Sequence, residues 1–137
     1  MKIKPSKPDK KIVKANKDLD QAVENYCWLL NFPAPTIEEL PGRQVRTARF
    51  RLGESWLILV QPLNQDSVPG RHLAQHGEGF FLLSLQTDDL DSDIRRVRES
   101  GGKTVNGEPR QGLDNWRVQD LDPANFSAVS LQLTEEE

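Results

Sequence analysis

The sequence predicts an α+β domain. Three observations lead there: a hydrophobic period of two across residues 45–62, a helical period after each of two Asp-Leu-Asp triplets, and the return of that whole order in the second half.

The elements follow in chain order. KKIVKANK is polar apart from Ile12 and Val13 and predicts a short edge strand. Residues 18–30, DLDQAVENYCWLL, predict a helix. Asp18 can cap it, and Gln21 gives a capping-box-like spacing. Leu19, Ala22, Val23, Tyr26 and Leu30 share one face, Cys27 reads as a packing thiol beside it, and Pro33 and Pro35 end the helix. VRTARFRL then sets Ala48, Phe50 and Leu52 against Thr47, Arg49 and Arg51, Gly53-Glu54-Ser55 turns the chain into WLILV, and Pro62 closes a hairpin. Residues 63–76 read as a linker with a helical turn at RHLAQH.

The second half repeats the plan. GFFLLSLQT (79–87) is a strand, Asp89-Leu90-Asp91 opens a helix with Ile94 and Val97 inward, and Gly101-Gly102 stops it. Trp116–Leu121 and Ala128–Leu133 are two more strands, joined through Asp122-Pro123-Ala124-Asn125. Asp18, Leu19 and Asp20 recur 71 residues later as Asp89, Leu90 and Asp91. At the same offset Val23 recurs as Ile94, Arg46 as Arg117 and Gln61 as Gln132. The chain therefore reads as an internal duplication of a βαβββ unit, with a short extra strand before each hairpin. The expected layout is one domain: a basic arm (1–10), a first module (11–62), the linker (63–76), a second module (77–134) and an acidic tail (135–137).

Composition sets the outer limits. A chain of 137 residues buries roughly two-thirds of its unfolded surface, enough for a core without staples. A net charge of −3 argues against nucleic acid as the partner, and seven lysines within residues 1–17 read as a solvated tail because no aromatic residue interleaves with them. The single cysteine excludes an internal disulfide and fits a reducing compartment. No apolar run approaches the roughly 18 residues of a membrane span, and the lysine-rich start has no apolar signal core, so the expectation is a cytoplasmic protein. No Ser-His-Asp or Cys-His arrangement, P-loop or dinucleotide fingerprint is present. His72 and His76 stand four apart but have no third ligand in view and read as surface histidines. Asp88, Asp89, Asp91 and Asp93 read as helix-capping acids, favoured by the helix dipole.

Gly77-Glu78-Gly79, then Asp88-Asp89-Leu90, then Gly101, with a hairpin closed by Pro62 and an Asp122-Pro123 turn, resembles the vicinal oxygen chelate superfamily. That superfamily spans glyoxalase I, extradiol dioxygenases, bleomycin-resistance proteins and methylmalonyl-CoA epimerase, and the epimerase-like members match best locally. The resemblance covers residues 11–133 and implies two βαβββ modules whose mixed sheet curls into a cup with helices outside. Members with metal chemistry bind one ion through four strands, and those positions fall on Lys11, Ile58, Leu82 and Gln132. One ammonium and one amide cannot hold a transition metal, because charged lysine has no lone pair and the other two side chains have no donor. The expectation is a metal-free member with no cofactor and no catalytic residue.

Side chains alternate across a strand, so the ligand positions place Trp56, Ile58, Val60, Phe80, Leu82, Ser84, Ala128, Ser130 and Gln132 in one lane. Phe81, Leu83, Leu85, Val129, Leu131 and Leu133 then pack under helices. The lane reads as a largely apolar cup for a small organic molecule. Trp56, Phe80 and Trp116 offer stacking surface, Ser84, Ser130 and Gln132 offer hydrogen bonds, and Arg49 offers a bidentate anchor, with Arg51 and Arg117 nearby. The plainer alternative is that the aromatics fill the cup and the arginines face solvent. Two other functions stay open: a metal-dependent lyase, epimerase or dioxygenase with an unusual site, and a dimeric interaction module; a metal-independent acid–base enzyme would need a titratable group in the cup, for which Lys11 is the one candidate. A homodimer is expected from the resemblance.

Overall fold

The computed structural model describes residues 10–127 and 129–136, so the basic arm before Lys10, Ala128 and Glu137 lie outside the described residues. The chain forms two compact units, one running Ile12–Phe81 and the other joining the residues through Lys11 to Leu82 onward. The class is α+β, with three α-helices and eight strands among the described residues.

The Ile12–Phe81 unit contains most of β1 (Lys10–Ala15), then α1 (Leu19–Leu30), β2 (Thr36–Leu40), β3 (Val45–Leu52), β4 (Ser55–Pro62) and α2 (Val68–His76). Its strands lie in the order β2-β3-β4-β1, with β2 and β4 antiparallel to β3. The second unit holds most of β5 (Gly79–Gln86), α3 (Leu90–Glu99), β6 (Arg110–Gln111), β7 (Arg117–Asp120) and β8 (Leu131–Glu135). Its order is β5-β8-β7-β6, parallel between β5 and β8 and antiparallel elsewhere, so the sheet is mixed. β2 and the two-residue β6 are the extra strands expected before each hairpin.

The Asp-Leu-Asp triplets do the same three jobs in each unit. The first aspartate caps: Asp18 accepts from the Gln21 amide at 3.0 Å, and Asp89 from the Ser92 amide at 3.1 Å. The leucine is fully buried in the core, and its own amide donates to the last strand, Leu19 to Gln61 Oε1 at 2.7 Å and Leu90 to Glu135 Oε1 at 2.8 Å. The second aspartate receives an arginine from the hairpin, Asp20 from Arg46 at 2.9 Å and Asp91 from Arg117 at 3.0 Å. Hydrogen bonding from Arg46, then its charge, holds the Asp20 carboxyl below its ordinary range.

These bonds also correct one correspondence. Asn16 donates to the Val60 carbonyl and Thr87 to the Thr134 carbonyl, both at 2.8 Å. The first members differ by 71 and the second by 74, so Gln61 matches Glu135 in role, and Gln132 matches Ile58. The three additional residues lie between β7 and β8, where Pro123–Phe126 makes a 3-10 turn and Ser127 takes a left-handed φ of 56°. That turn is also why β8 starts at Leu131, three residues after the expected start.

α1 and α3 each cover a separate core. Leu19 and Ala22 meet Ala48, Phe50, Leu57 and Leu59, with Val23, Tyr26 and Cys27 alongside. Leu90, Ile94 and Val97 meet Leu121 and Leu133. Two local expectations differ. Gln21 bonds the Asn25 side chain, so no capping box closes on Asp18. Leu30 is exposed, because the helix ends on a left-handed Asn31 and Phe32 swings in to pack on Tyr26 and Phe50 instead. The linker holds a nine-residue helix, α2, capped by Ser67 through the Gly70 amide. Gly70 has to be glycine, since a Cβ there would lie 2.5 Å from the Asn64 carbonyl oxygen.

Leu19→Ala and Leu90→Ala should each cost about 2–5 kcal/mol in urea unfolding, as cavity-forming changes at fully buried leucines. Asp89→Ala should cost about 1 kcal/mol as a lost cap.

Candidate functional site

The faces turned away from the helices carry the candidate groups, and the two units differ in chemistry. In the Ile12–Phe81 unit, Ala48, Phe50, Leu57 and Leu59 point toward α1. Period two then sends Thr47, Arg49 and Arg51 of β3 and Trp56, Ile58 and Val60 of β4 to the opposite face. Ile58 and Val60 are buried, and Thr47 donates to the Glu38 carbonyl at 3.0 Å. Trp56 is gripped by two guanidinium groups, with Arg49 Cζ 5.3 Å and Arg51 Cζ 4.9 Å from its ring centroid. β4 gives this face an apolar row, and β3 adds a hydroxyl and the two guanidinium groups that hold the ring. Phe80 is 54% exposed and is not a buried stacking surface in this unit.

The other unit presents a polar face. Ser84 is fully buried and pairs with the Thr134 hydroxyl. Gln132 donates to Asp120 Oδ1 at 2.9 Å, and Asp120 is bridged in turn by Arg110 at 3.0 Å. Lys11 is the most consequential residue, only 1% exposed. Its Nζ lies 2.8 Å from Glu136 Oε2 and 3.0 Å from Gln86 Oε1, and 4.6 Å from the centre of the Trp116 ring. A buried ammonium is tolerated here because a carboxylate, an amide oxygen and a ring face replace its water. The expectation of a largely apolar lane is corrected in this unit. The reason is that the period-two lane continues past Ser84 to Gln86 and past Gln132 to Thr134. Ser130 lies before β8, and its carbonyl accepts from the Leu83 amide at 3.1 Å. Trp116 is buried just before β7.

Gln86, Thr134, Asp120, Arg110 and Glu136 were not singled out by sequence reasoning. Gln86 and Thr134 were legible as the next members of their lanes. Asp120, Arg110 and Glu136 carried no local signal, since their roles come from tertiary pairing alone.

His76 is exposed and His72 is half-buried. Its Nε2 donates to the Phe80 carbonyl at 3.2 Å, and its ring lies 4.8 Å from Phe81 and 4.9 Å from His76 between centroids. Burial, then the His76 charge, lowers its pKa, and the Phe80 hydrogen bond opposes them.

Comparison with known proteins places this architecture. Residues 11–119 match the model of the Glyoxalase/Bleomycin resistance protein/Dioxygenase superfamily. The chain belongs to that superfamily. A Streptomyces coelicolor methylmalonyl-CoA epimerase in complex with 2-nitronate-propionyl-CoA superposes with a TM-score of 0.90 at 30% identity, covering 97% of this chain and 99% of that one. A hypothetical protein of Bacillus halodurans gives a TM-score of 0.91 at 25% identity over 96% of both chains. The uncharacterized protein YqjC of Bacillus subtilis is 25% identical over 119 residues, 87% of this chain and 83% of its own length.

The superfamily's metal pattern does not fit the residues present. Lys11 holds its proton-bearing nitrogen against Glu136, Ile58 and Leu82 offer no donor atom, and the Gln132 amide is engaged with Asp120. Among the described residues no group of three or more His, Cys, Asp or Glu side chains is arranged to hold an ion.

Two outcomes test this geometry. Lys11→Met should lower stability by about 1–3 kcal/mol, because it leaves a partly buried carboxylate without its cation. His72 has a depressed folded pKa, so its contribution is fully present above its unfolded value of about 6.5 and is lost as pH falls through the folded value. Thermal melts between about pH 7.5 and 5 should show that slope, and His72→Gln should flatten it.

Proposed function

We propose that this superfamily member binds a small organic molecule and works without a metal ion. Its ligand would lie against a sheet face turned away from the helices. The observation that supports this is the state of Lys11: the position where the family pattern has histidine carries a buried cation already balanced by Glu136 and Gln86. Such a group cannot serve as a Lewis base toward a metal, while Ile58 and Leu82 replace donor atoms with hydrocarbon. The remaining groups suit an organic ligand with both polar and flat parts. In the second unit the candidate contacts are Gln132, Ser130 and Trp116, while Ser84 is fully buried and held by Thr134. Arg49 and Trp56 supply a cation-backed ring in the other, with Phe80 on β5. The matching latches at Leu19 and Leu90 support an internal duplication as the origin of the fold. A homodimer and a cytoplasmic setting complete the reading, and sedimentation checks the first.

A second reading, an enzyme of the same superfamily using protein acids and bases, is favoured by Asp120. This partly buried carboxylate faces both Gln132 and Arg110.

Elemental analysis of protein purified without chelator, paired with a thermal-shift panel, tests the proposal. The panel should include acyl-CoA esters, because the Streptomyces epimerase was solved with one. The expected result is no stoichiometric transition metal and a melting-temperature rise with at least one compound of roughly 2 °C or more. A stoichiometric, tightly held metal would overturn the metal-free reading, and a silent panel would count against ligand binding.

A further inference from the structure

A cavity lies within the Ile12–Phe81 unit, on the helix side of β1. Lys14 and Asn16 alternate onto that side, and α1 faces them with Ala22, Asn25, Tyr26, Leu29 and Leu30. The cleft between them measures about 360 Å³, within the range of small-molecule sites. We propose that it binds small N-acyl amino acids, or another carboxylate with an adjacent amide N–H and an apolar side chain. The proposal is independent of the function assigned to the opposite faces.

Three features define the ligand. Asn16 is 7% exposed, its backbone N–H is spent on the Val60 carbonyl, and its side-chain Oδ1 is buried with no hydrogen-bond partner among the described residues. Buried carbonyl oxygens are nearly always satisfied, so this one calls for a donor. Lys14 donates to the Tyr26 hydroxyl and lies 5.1 Å from the centre of its ring. An ammonium has three N–H groups, and that contact uses one. Lys14 has no carboxylate within ion-pair distance among the described residues, so an anion is the complementary group. Ala22, Leu29 and Leu30 give an apolar wall, and Leu29 and Leu30 are largely exposed at the mouth. A carboxylate for Lys14, an N–H for Asn16 Oδ1 and an aliphatic side chain for the leucines meet in one small molecule, an N-acyl amino acid. A simple fatty acid leaves Asn16 unsatisfied, and an ester leaves Lys14 without its anion.

The test is a titration of the full chain, labelled with nitrogen-15, by N-acetyl-L-leucine, its methyl ester and 4-methylpentanoate. The acid should shift the amides of Lys14, Asn16, Ala22 and Leu29 saturably below about 1 mM, and the other two compounds should bind at least about tenfold more weakly. Lys14→Met should weaken the acid by a similar factor while leaving the ester unchanged. Asn16→Leu should abolish the acid's preference over 4-methylpentanoate and raise the melting temperature, since it removes an unsatisfied oxygen. Equal binding of acid and ester, shifts confined to other residues, or a lower melting temperature for Asn16→Leu would each overturn the proposal.

Discussion

The structure depends on how each helix is tied down at its first residue. The amides that open α1 and α3 have no partner within their own helices, and each finds one on the last strand of its unit. The side chain of the same leucine is fully buried. Backbone polarity and apolar burial therefore act on one residue, which fixes both where the helix starts and which way it faces. The preceding aspartate caps the next turn, and the following one reaches an arginine on the hairpin. Moving the start of either helix by one residue would forfeit all of these contacts together.

With the helices fixed on one side, the other side of each strand is set by alternation. The same geometry then carries opposite chemistry. β3 and β4 turn branched side chains and a cation-flanked tryptophan away from α1, while β5, β7 and β8 turn away a network of amides, hydroxyls and carboxylates. Lys11 completes the second set. Burying its charge is tolerable only because Glu136, Gln86 and the Trp116 ring are already in place, so the charge and its surroundings form one cooperative element.

Much of this was legible in the residues. Asp18-Leu19-Asp20 and Asp89-Leu90-Asp91 marked the helix starts because capping is local chemistry, and VRTARFRL marked a hairpin strand because alternation is local geometry. What sequence could not give was set by distant partners. Leu30 looked inward until a left-handed Asn31 brought Phe32 into its place. A single offset of 71 misassigned Gln61, because three residues are inserted at the Pro123–Phe126 turn. The polarity of the second face depends on Glu136 and Arg110, whose partners lie on other strands.

The two latches are built from different parts. In the first, the amide of Gln61 receives Leu19 while Asp20 pairs with Arg46, so the two roles rest on separate side chains. In the second, Glu135 receives Leu90 and also faces Arg117, so one side chain serves both. Substitutions around α1 should therefore combine additively, whereas those around α3 share a common term and should not. Drift can revise the first half one position at a time; the second half must change by correlated pairs.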